Sequence, residues 1–95
     1  PLVPILTFKT FDEVIERAND NDLGLCSYLY TNSMDKAHIG SEKLESGCVA
    51  VNTGVVAIAE APFGGIKQTG YGREGGSGAI KDYLNVKYTH MGLKI

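Results

Sequence analysis

Apolar and polar residues follow one another along this chain in blocks that predict strands alternating with helices. Apolar runs at 2–8, 25–31 and 48–52 predict three buried strands, because continuous apolar runs are typical of a sheet covered on both faces. Between them, apolar residues recur at helical spacing over 11–18 and 34–44. Two successive strand–helix–strand units predict parallel strands with right-handed crossovers. The predicted fold class is therefore α/β, in βαβαβ order.

Polar residues at the block boundaries predict where the helices begin and end. Thr10 with Glu13 fits a capping box, in which each side chain accepts a hydrogen bond from the other residue's backbone. Asn32 or Ser33 can cap the second helix, and Gly47 is predicted to stop it.

The remainder of the chain has a different pattern. Residues 53–61 are small and apolar, and 62–78 are glycine-rich and predict a structured loop. Residues 79–84 predict a short helical turn. Residues 86–91 alternate between apolar and polar and predict a final, exposed strand.

Composition narrows the class of protein. The chain has 95 residues, 43% hydrophobic and 21% charged, which is ordinary for one small globular domain. A net charge of −2 with only two arginines disfavours nucleic acid as a partner. No apolar run reaches the ~18 residues of a membrane helix, so no membrane association is predicted. Two cysteines cannot build a disulfide scaffold, and the predicted compartment is the reducing cytoplasm.

The glycine-rich loop contains one motif that suggests nucleotide binding. Residues 70–75, Gly-Tyr-Gly-Arg-Glu-Gly, match the dinucleotide fingerprint GxGxxG. That fingerprint requires a buried strand before it, a helix opening at it and an acidic residue about 20 positions later, and none of these is evident. The glycines are better explained by positive φ angles and close backbone packing. A nucleotide-binding module stays open as an alternative, as does a non-catalytic association module.

The residue types that most often perform catalysis do not form a set here. Cys26 and Cys48 each begin an apolar strand, where a thiol is usually inert. His38 and His90 stand among polar neighbours or on a terminal strand, and neither has metal-ligand spacing to another residue. The residues alone therefore predict no catalytic group and no metal site.

Two polar residues stand where ligands usually bind in α/β folds. Thr31 and Asn52 end the second and third predicted strands. Ligands bind at the carboxyl ends of parallel strands, so these residues and the segment after Asn52 are the best pocket candidates.

The run from Ala61 to Gly75, APFGGIKQTGYGREG, closely resembles a signature near the carboxyl end of NAD(P)-dependent aldehyde dehydrogenases. The order and spacing of the preceding strands and helices agree with that family over essentially the whole chain. Asn52-Thr-Gly54, Ala61-Pro62 and the Tyr83–Tyr88 segment resemble the succinate-semialdehyde dehydrogenases in particular.

The resemblance implies a carboxyl-terminal fragment of a longer enzyme. Residues 1–85 would belong to the catalytic domain and 86–95 to the terminal strand of an oligomerisation region, in a homodimer or homotetramer. In the family, a cysteine thiolate attacks the aldehyde, hydride passes to NAD or NADP, and a glutamate-activated water releases the acid. The nucleophile and base lie upstream of this region, so the chain alone is expected to be inactive.

The resemblance also assigns individual residues. Leu25 corresponds to a leucine near the nicotinamide. Ala57 stands where succinate-semialdehyde enzymes commonly have a serine that binds the substrate carboxylate, so another semialdehyde or a less polar aldehyde is the alternative substrate. The residues bordering the substrate tunnel would be Phe63, Val55, Val56 and Ala57, and the structural signature would comprise Asn52, Gly64, Gly65, Gly70, Gly72, Arg73 and Glu74.

Overall fold

Within the described residues, two helices, four short strands and one 3₁₀ turn form the regular secondary structure. A computed structural model describes residues 1–94. The elements in chain order are α1 (Phe11–Asn19), β1 (Leu23–Gly24), β2 (Cys26–Leu29), α2 (Met34–Lys43), β3 (Cys48–Val51), β4 (Ile66–Lys67) and the 3₁₀ turn (Ala79–Tyr83).

Both helices begin at the predicted caps. The Thr10 hydroxyl accepts a hydrogen bond from the Glu13 N–H at 3.2 Å, and the Glu13 carboxylate accepts one from the Lys9 N–H at 2.9 Å. The Glu13 side chain therefore accepts its hydrogen bond from Lys9, the residue before the cap, and not from Thr10 itself. For α2, the Ser33 hydroxyl accepts from the Lys36 N–H at 3.3 Å, so Ser33 is the cap. These contacts satisfy N–H groups that a helix's first turn leaves unpaired.

The centre of the fold is one parallel βαβ unit. Strands β2 and β3 pair in parallel register from Cys26 opposite Cys48 to Leu29 opposite Val51, and α2 connects them. Ala50 on β3 and Ile15 on α1 are the buried apolar residues, 5% and 7% exposed. This unit confirms the α/β class, with one crossover where the sequence predicted two.

A second, smaller pair of strands attaches the glycine-rich loop to this unit. Strand β1 pairs with β4 in antiparallel register, Gly24 opposite Ile66. The sequence predicted neither β1 as a separate strand nor β4. The prediction that Gly47 ends α2 is wrong, because the helix ends at Lys43. Gly47 instead allows close packing, since a Cβ atom there would collide with the Gly64 carbonyl.

The predictions of strands at both ends of the chain are wrong within the described residues. Residues 2–8 and 86–91 have no strand pairing, and their apolar side chains are exposed, as in Leu2 (92%) and Val86 (102%). The apolar patterns of these two segments indicate that they are suited to burial. However, no neighbouring strand forms hydrogen bonds with their backbone N–H and C=O groups. Ile95, the last residue of the predicted 86–95 segment, lies outside the described residues.

These ends make the molecule long. The radius of gyration is 19.2 Å, against about 12 Å for a compact chain of this length. The accessible surface is 8319 Å², whereas a folded protein of this mass exposes about 5300 Å². The chain thus leaves uncovered much apolar surface that a self-contained domain would bury.

Candidate functional site

The signature run closes on itself through a short antiparallel bridge. Phe63 and Glu74 exchange backbone hydrogen bonds, each N–H to the other's carbonyl at 2.7 Å. The Gly76 N–H donates to the Ala59 carbonyl at 2.9 Å. The segment is therefore a structured loop, as its glycine content predicted.

The fingerprint glycines adopt the backbone conformation that the sequence predicted. Gly70, Gly72 and Gly75 have φ angles of 118°, 87° and 67°, a region that other residues rarely adopt. The element immediately before these glycines is the two-residue strand β4, and no helix begins within 70–75. The strand–helix context of a dinucleotide cradle is therefore missing from the described residues.

Arg73 fastens the loop from within. Its Nη1 atom donates to the carbonyls of Gly65 and Gly72, both at 2.8 Å. Its backbone N–H donates to Asp82 Oδ2 at 3.3 Å, which ties the loop to the 3₁₀ turn. Asp82 was not among the predicted site residues, because no local pattern marks a side chain that caps a distant loop.

Thr69 joins the loop to β1. Its hydroxyl accepts a hydrogen bond from the Gly24 N–H at 2.8 Å, across 45 residues of sequence. Its side chain also fills the space where Gly65 lacks one. This contact places the signature loop directly beside Leu25.

Asn52 holds the ends of the two parallel strands together. Its Oδ1 accepts from the Thr31 N–H at 2.9 Å, and its Nδ2 donates to the Thr31 carbonyl at 3.0 Å. The side-chain amide thus acts as one more residue of the β2–β3 ladder. Its own φ is 56°, a conformation that asparagine tolerates better than most residues. Thr31 and Asn52, the predicted pocket candidates, meet at the strand ends, but they line neither the cleft nor the depression described next.

The signature loop forms one wall of a cleft of about 500 Å³. A second depression of about 360 Å³ lies alongside it and is lined by Ala57 and again by Phe63. Val55 and Val56 line neither depression, and Asn52 lies outside both. The cleft itself brings together the predicted residues Leu25, Phe63, Gly64, Gly65, Gly70, Gly72, Arg73 and Glu74.

Lys67 is a positioning residue that the sequence did not reveal. Its Nζ lies 2.6 Å from Glu45 Oε2 and donates to the carbonyls of Asn19 and Asn21 at 2.9 and 3.1 Å. Lys67 also has a positive φ of 58°. It therefore joins β4 to the carboxyl end of α1, where the free carbonyls favour a cation.

The chemistry of the cleft is that of a binding surface. It presents apolar side chains, glycine backbone, a guanidinium and carboxylates, and neither cysteine lines it. Within residues 1–94, no three His, Cys, Asp or Glu side chains come close enough to hold a metal ion. Among the described residues that line the cleft, no hydroxyl group forms a hydrogen bond with a carboxylate or an imidazole.

Comparison with known proteins identifies this loop. A sequence model described as the aldehyde dehydrogenase family matches residues 1–89. This chain belongs to the aldehyde dehydrogenase family. The resemblance of the 61–75 signature is thereby confirmed.

The chain is similar to several curated aldehyde dehydrogenases. It is 48% identical over 92 residues to 3-sulfolactaldehyde dehydrogenase of Pseudomonas putida, covering 97% of this chain and 19% of that protein. It is 45% identical over 92 residues to the mitochondrial succinate-semialdehyde dehydrogenase of rice, Oryza sativa subsp. japonica, covering 97% of this chain and 18% of that protein. The chain thus spans about one fifth of the length of these relatives.

A solved aldehyde dehydrogenase structure shows the same fold. The succinate-semialdehyde dehydrogenase of Burkholderia pseudomallei superposes with a TM-score of 0.77 at 43% identity, covering 80% of this chain and 16% of that one. The α/β class is therefore that of the family. Within residues 1–94, no helix is long and apolar enough to cross a membrane.

Proposed function

We propose that this chain is the carboxyl-terminal portion of an NAD(P)-dependent aldehyde dehydrogenase that oxidises a short aldehyde bearing a second, anionic group. Succinate semialdehyde is the first candidate. Residues 1–85 contribute to the catalytic domain and 86–95 to an oligomerisation strand. The chain supplies walls of the active site, and the nucleophile and base come from other parts of the longer protein.

The observation that carries this proposal is the folded signature loop. Arg73 holds this loop together from inside, and Thr69 joins it to β1. The loop, which includes Phe63, therefore lines one cleft together with Leu25. These are the residues that the family resemblance assigns to cofactor and substrate. A rigid wall of this kind orients a substrate and excludes water, two sources of rate enhancement that require no reactive side chain.

The substrate class is supported by the names of the relatives. Sulfolactaldehyde carries a sulfonate, while succinate and glutarate semialdehydes carry a carboxylate. An aldehyde with a terminal anion is what these substrates share. Ala57 offers no hydroxyl to such an anion, so in this protein other groups must bind it, or the substrate is another semialdehyde or a less polar aldehyde.

The nicotinamide of NAD or NADP would contact the same cleft. Leu25 lines this cleft and is 41% exposed, and Gly65 and Gly70 line it without side chains. When bound, the nicotinamide accepts the hydride from the aldehyde carbon. Leu25 would hold the ring by packing, and the choice between NAD and NADP rests on residues outside this chain.

The unpaired ends support an oligomer. The exposed apolar residues of 86–91 would pair with strands of the longer protein in a homodimer or homotetramer. The two free cysteines are in keeping with a reducing compartment, so we propose the cytoplasm.

The test uses the full-length protein that contains this sequence, with butanal as an uncharged control of the same carbon number. We expect aldehyde-dependent reduction of NAD or NADP, with a kcat/KM for succinate semialdehyde at least tenfold above that for butanal. The separate 95-residue chain should show no such reduction. Absence of activity in the full-length protein, or activity in the short chain, would contradict the proposal, and a preference for butanal would contradict the anionic substrate.

A further inference from the structure

The two cysteines of the chain lie side by side on the parallel strands. Cys26 on β2 and Cys48 on β3 are register partners. Neighbouring strands are about 4.8 Å apart, and disulfides join Cα atoms about 4.4–6.8 Å apart. Directly opposed residues of a parallel pair have side chains on the same face. The strand register therefore brings the two cysteines within the Cα separation that a disulfide spans.

The surroundings leave both thiols reduced and reachable. Each cysteine is free and only half-buried. The Cys48 thiol donates to the Gly64 carbonyl at 3.7 Å, so it points toward the signature loop. Desolvation raises the pKa of Cys26, and the Cys48 thiol beside it raises it further.

We propose that Cys26 and Cys48 form a cross-strand dithiol that small-molecule disulfides oxidise reversibly to an intramolecular disulfide. Neither cysteine lines the cleft, although Gly64, which Cys48 contacts, does, and the family resemblance assigns neither cysteine to aldehyde oxidation. The disulfide gives the chain a redox-sensitive bond between β2 and β3, the two strands that Thr31 and Asn52 follow.

The reaction is thiol–disulfide exchange, and glutathione disulfide serves as the oxidant. The Cys48 thiolate attacks one sulfur of the oxidant, forming a mixed disulfide and expelling one glutathione thiolate. The Cys26 thiolate then attacks the Cys48 sulfur and expels the second. The two cysteines lose two electrons in total, the oxidant gains them, and the two thiol protons pass to the glutathione thiolates. The Cys48 S–H is consumed, so the Gly64 carbonyl loses this donor.

The test measures the equilibrium between glutathione disulfide and the 95-residue chain, by intact mass after acid quenching. It compares native buffer with concentrated urea, because an unfolded chain also forms a disulfide, at the level set by loop closure alone. We expect the equilibrium constant for forming the Cys26–Cys48 disulfide to be at least tenfold larger in native buffer than in urea. This ratio corresponds to a difference of about 30 mV in reduction potential. Equal constants, including those of a chain that is unfolded in both solvents, would overturn the proposal.

A double variant, Cys26→Ser with Ser27→Cys, provides the matched control. It keeps two cysteines at nearly the same sequence separation, but residue 27 pairs with Val49 and lies on the opposite face of β2. We expect its constant in urea to match that of the original chain and to show no increase in native buffer. An equal increase in the double variant would also overturn the proposal. The single variant Cys26→Ser should stop at the mixed disulfide.

Discussion

In this chain, individual side chains make backbone-satisfying hydrogen bonds that helices and strands make elsewhere. Asn52 extends a strand ladder with its side-chain amide, and Arg73 fills a glycine-rich loop with hydrogen bonds to two carbonyls. The sequence pointed to both, since Asn52 ends a predicted strand and Arg73 lies within the signature. The partners could not be predicted, because Thr31 and Gly65 meet them only in the folded chain.

Replacing Asn52 tests the ladder directly. Asn52→Ala should lower the free energy of unfolding by about 1–2 kcal/mol, because two hydrogen bonds to Thr31 are lost and alanine is strained at positive φ. Urea unfolding measures the change. Asn52→Gly relieves the strain but not the lost bonds, so it should lie between alanine and asparagine. Equal stability of all three proteins would show that the amide contacts contribute nothing.

Ala57 tests the substrate class in the full-length enzyme. A hydrogen bond to a charged group contributes about 1.5–3 kcal/mol, so Ala57→Ser should raise kcat/KM for succinate semialdehyde roughly 10- to 150-fold. The value for butanal should not change, since it has no carboxylate. An equal rise for both aldehydes would indicate a general effect on the loop and would contradict a role in anion binding.

At the scale of elements, local signals predicted the helices well and the strands only in part. The caps of α1 and α2 and their apolar faces lie within a few residues of sequence, which is why Thr10 and Ser33 were found. A strand requires a partner from elsewhere in the chain. An apolar pattern indicates that a segment tends to be buried, but it does not indicate which segment pairs with it. The predicted strand at 48–52 therefore formed, while 2–8 and 86–91 did not.

The start of α1 should respond to pH through Glu13. The Lys9 N–H, followed by contacts with Thr10 and Arg17, lowers the pKa of this carboxyl below its usual 4.5. Because the folded pKa is the lower one, the stabilisation is complete above pH 4.5 and is lost as pH falls through the folded value. Helical signal by circular dichroism should decrease over that range. Glu13→Gln should remove this component, and Glu16→Gln on the same helix should retain it.

At the scale of the molecule, the chain behaves as part of something larger. Its surface exceeds that of a compact protein of its mass by about 3000 Å². Much of the excess is apolar and lies at the two ends. The structured signature loop was predictable from sequence, whereas the cleft that it lines and the placement of Val55 and Val56 outside that cleft were not, because the 53–60 segment has no regular structure to fix it.

The exposed ends should make the separate chain self-associate. Sedimentation velocity over a range of concentrations should show species larger than a monomer. A variant carrying Leu2→Lys, Ile5→Lys and Val86→Lys should associate less, because it removes apolar side chains that are 88–102% exposed and adds charge. A single monomeric species of the original chain at every concentration would contradict this prediction.

The extended ends also make the chain a good protease substrate. Proteases bind their substrates as extended strands, and 1–8 and 85–94 lie outside the helices and paired strands, whereas α1 and the βαβ unit have paired backbone. Brief digestion with a non-specific protease should therefore trim both ends and leave a resistant body of about 9–83, identified by intact mass. Early cleavage within 26–51 would show that the βαβ unit is not the stable centre. The trimmed body would then still carry the complete signature loop.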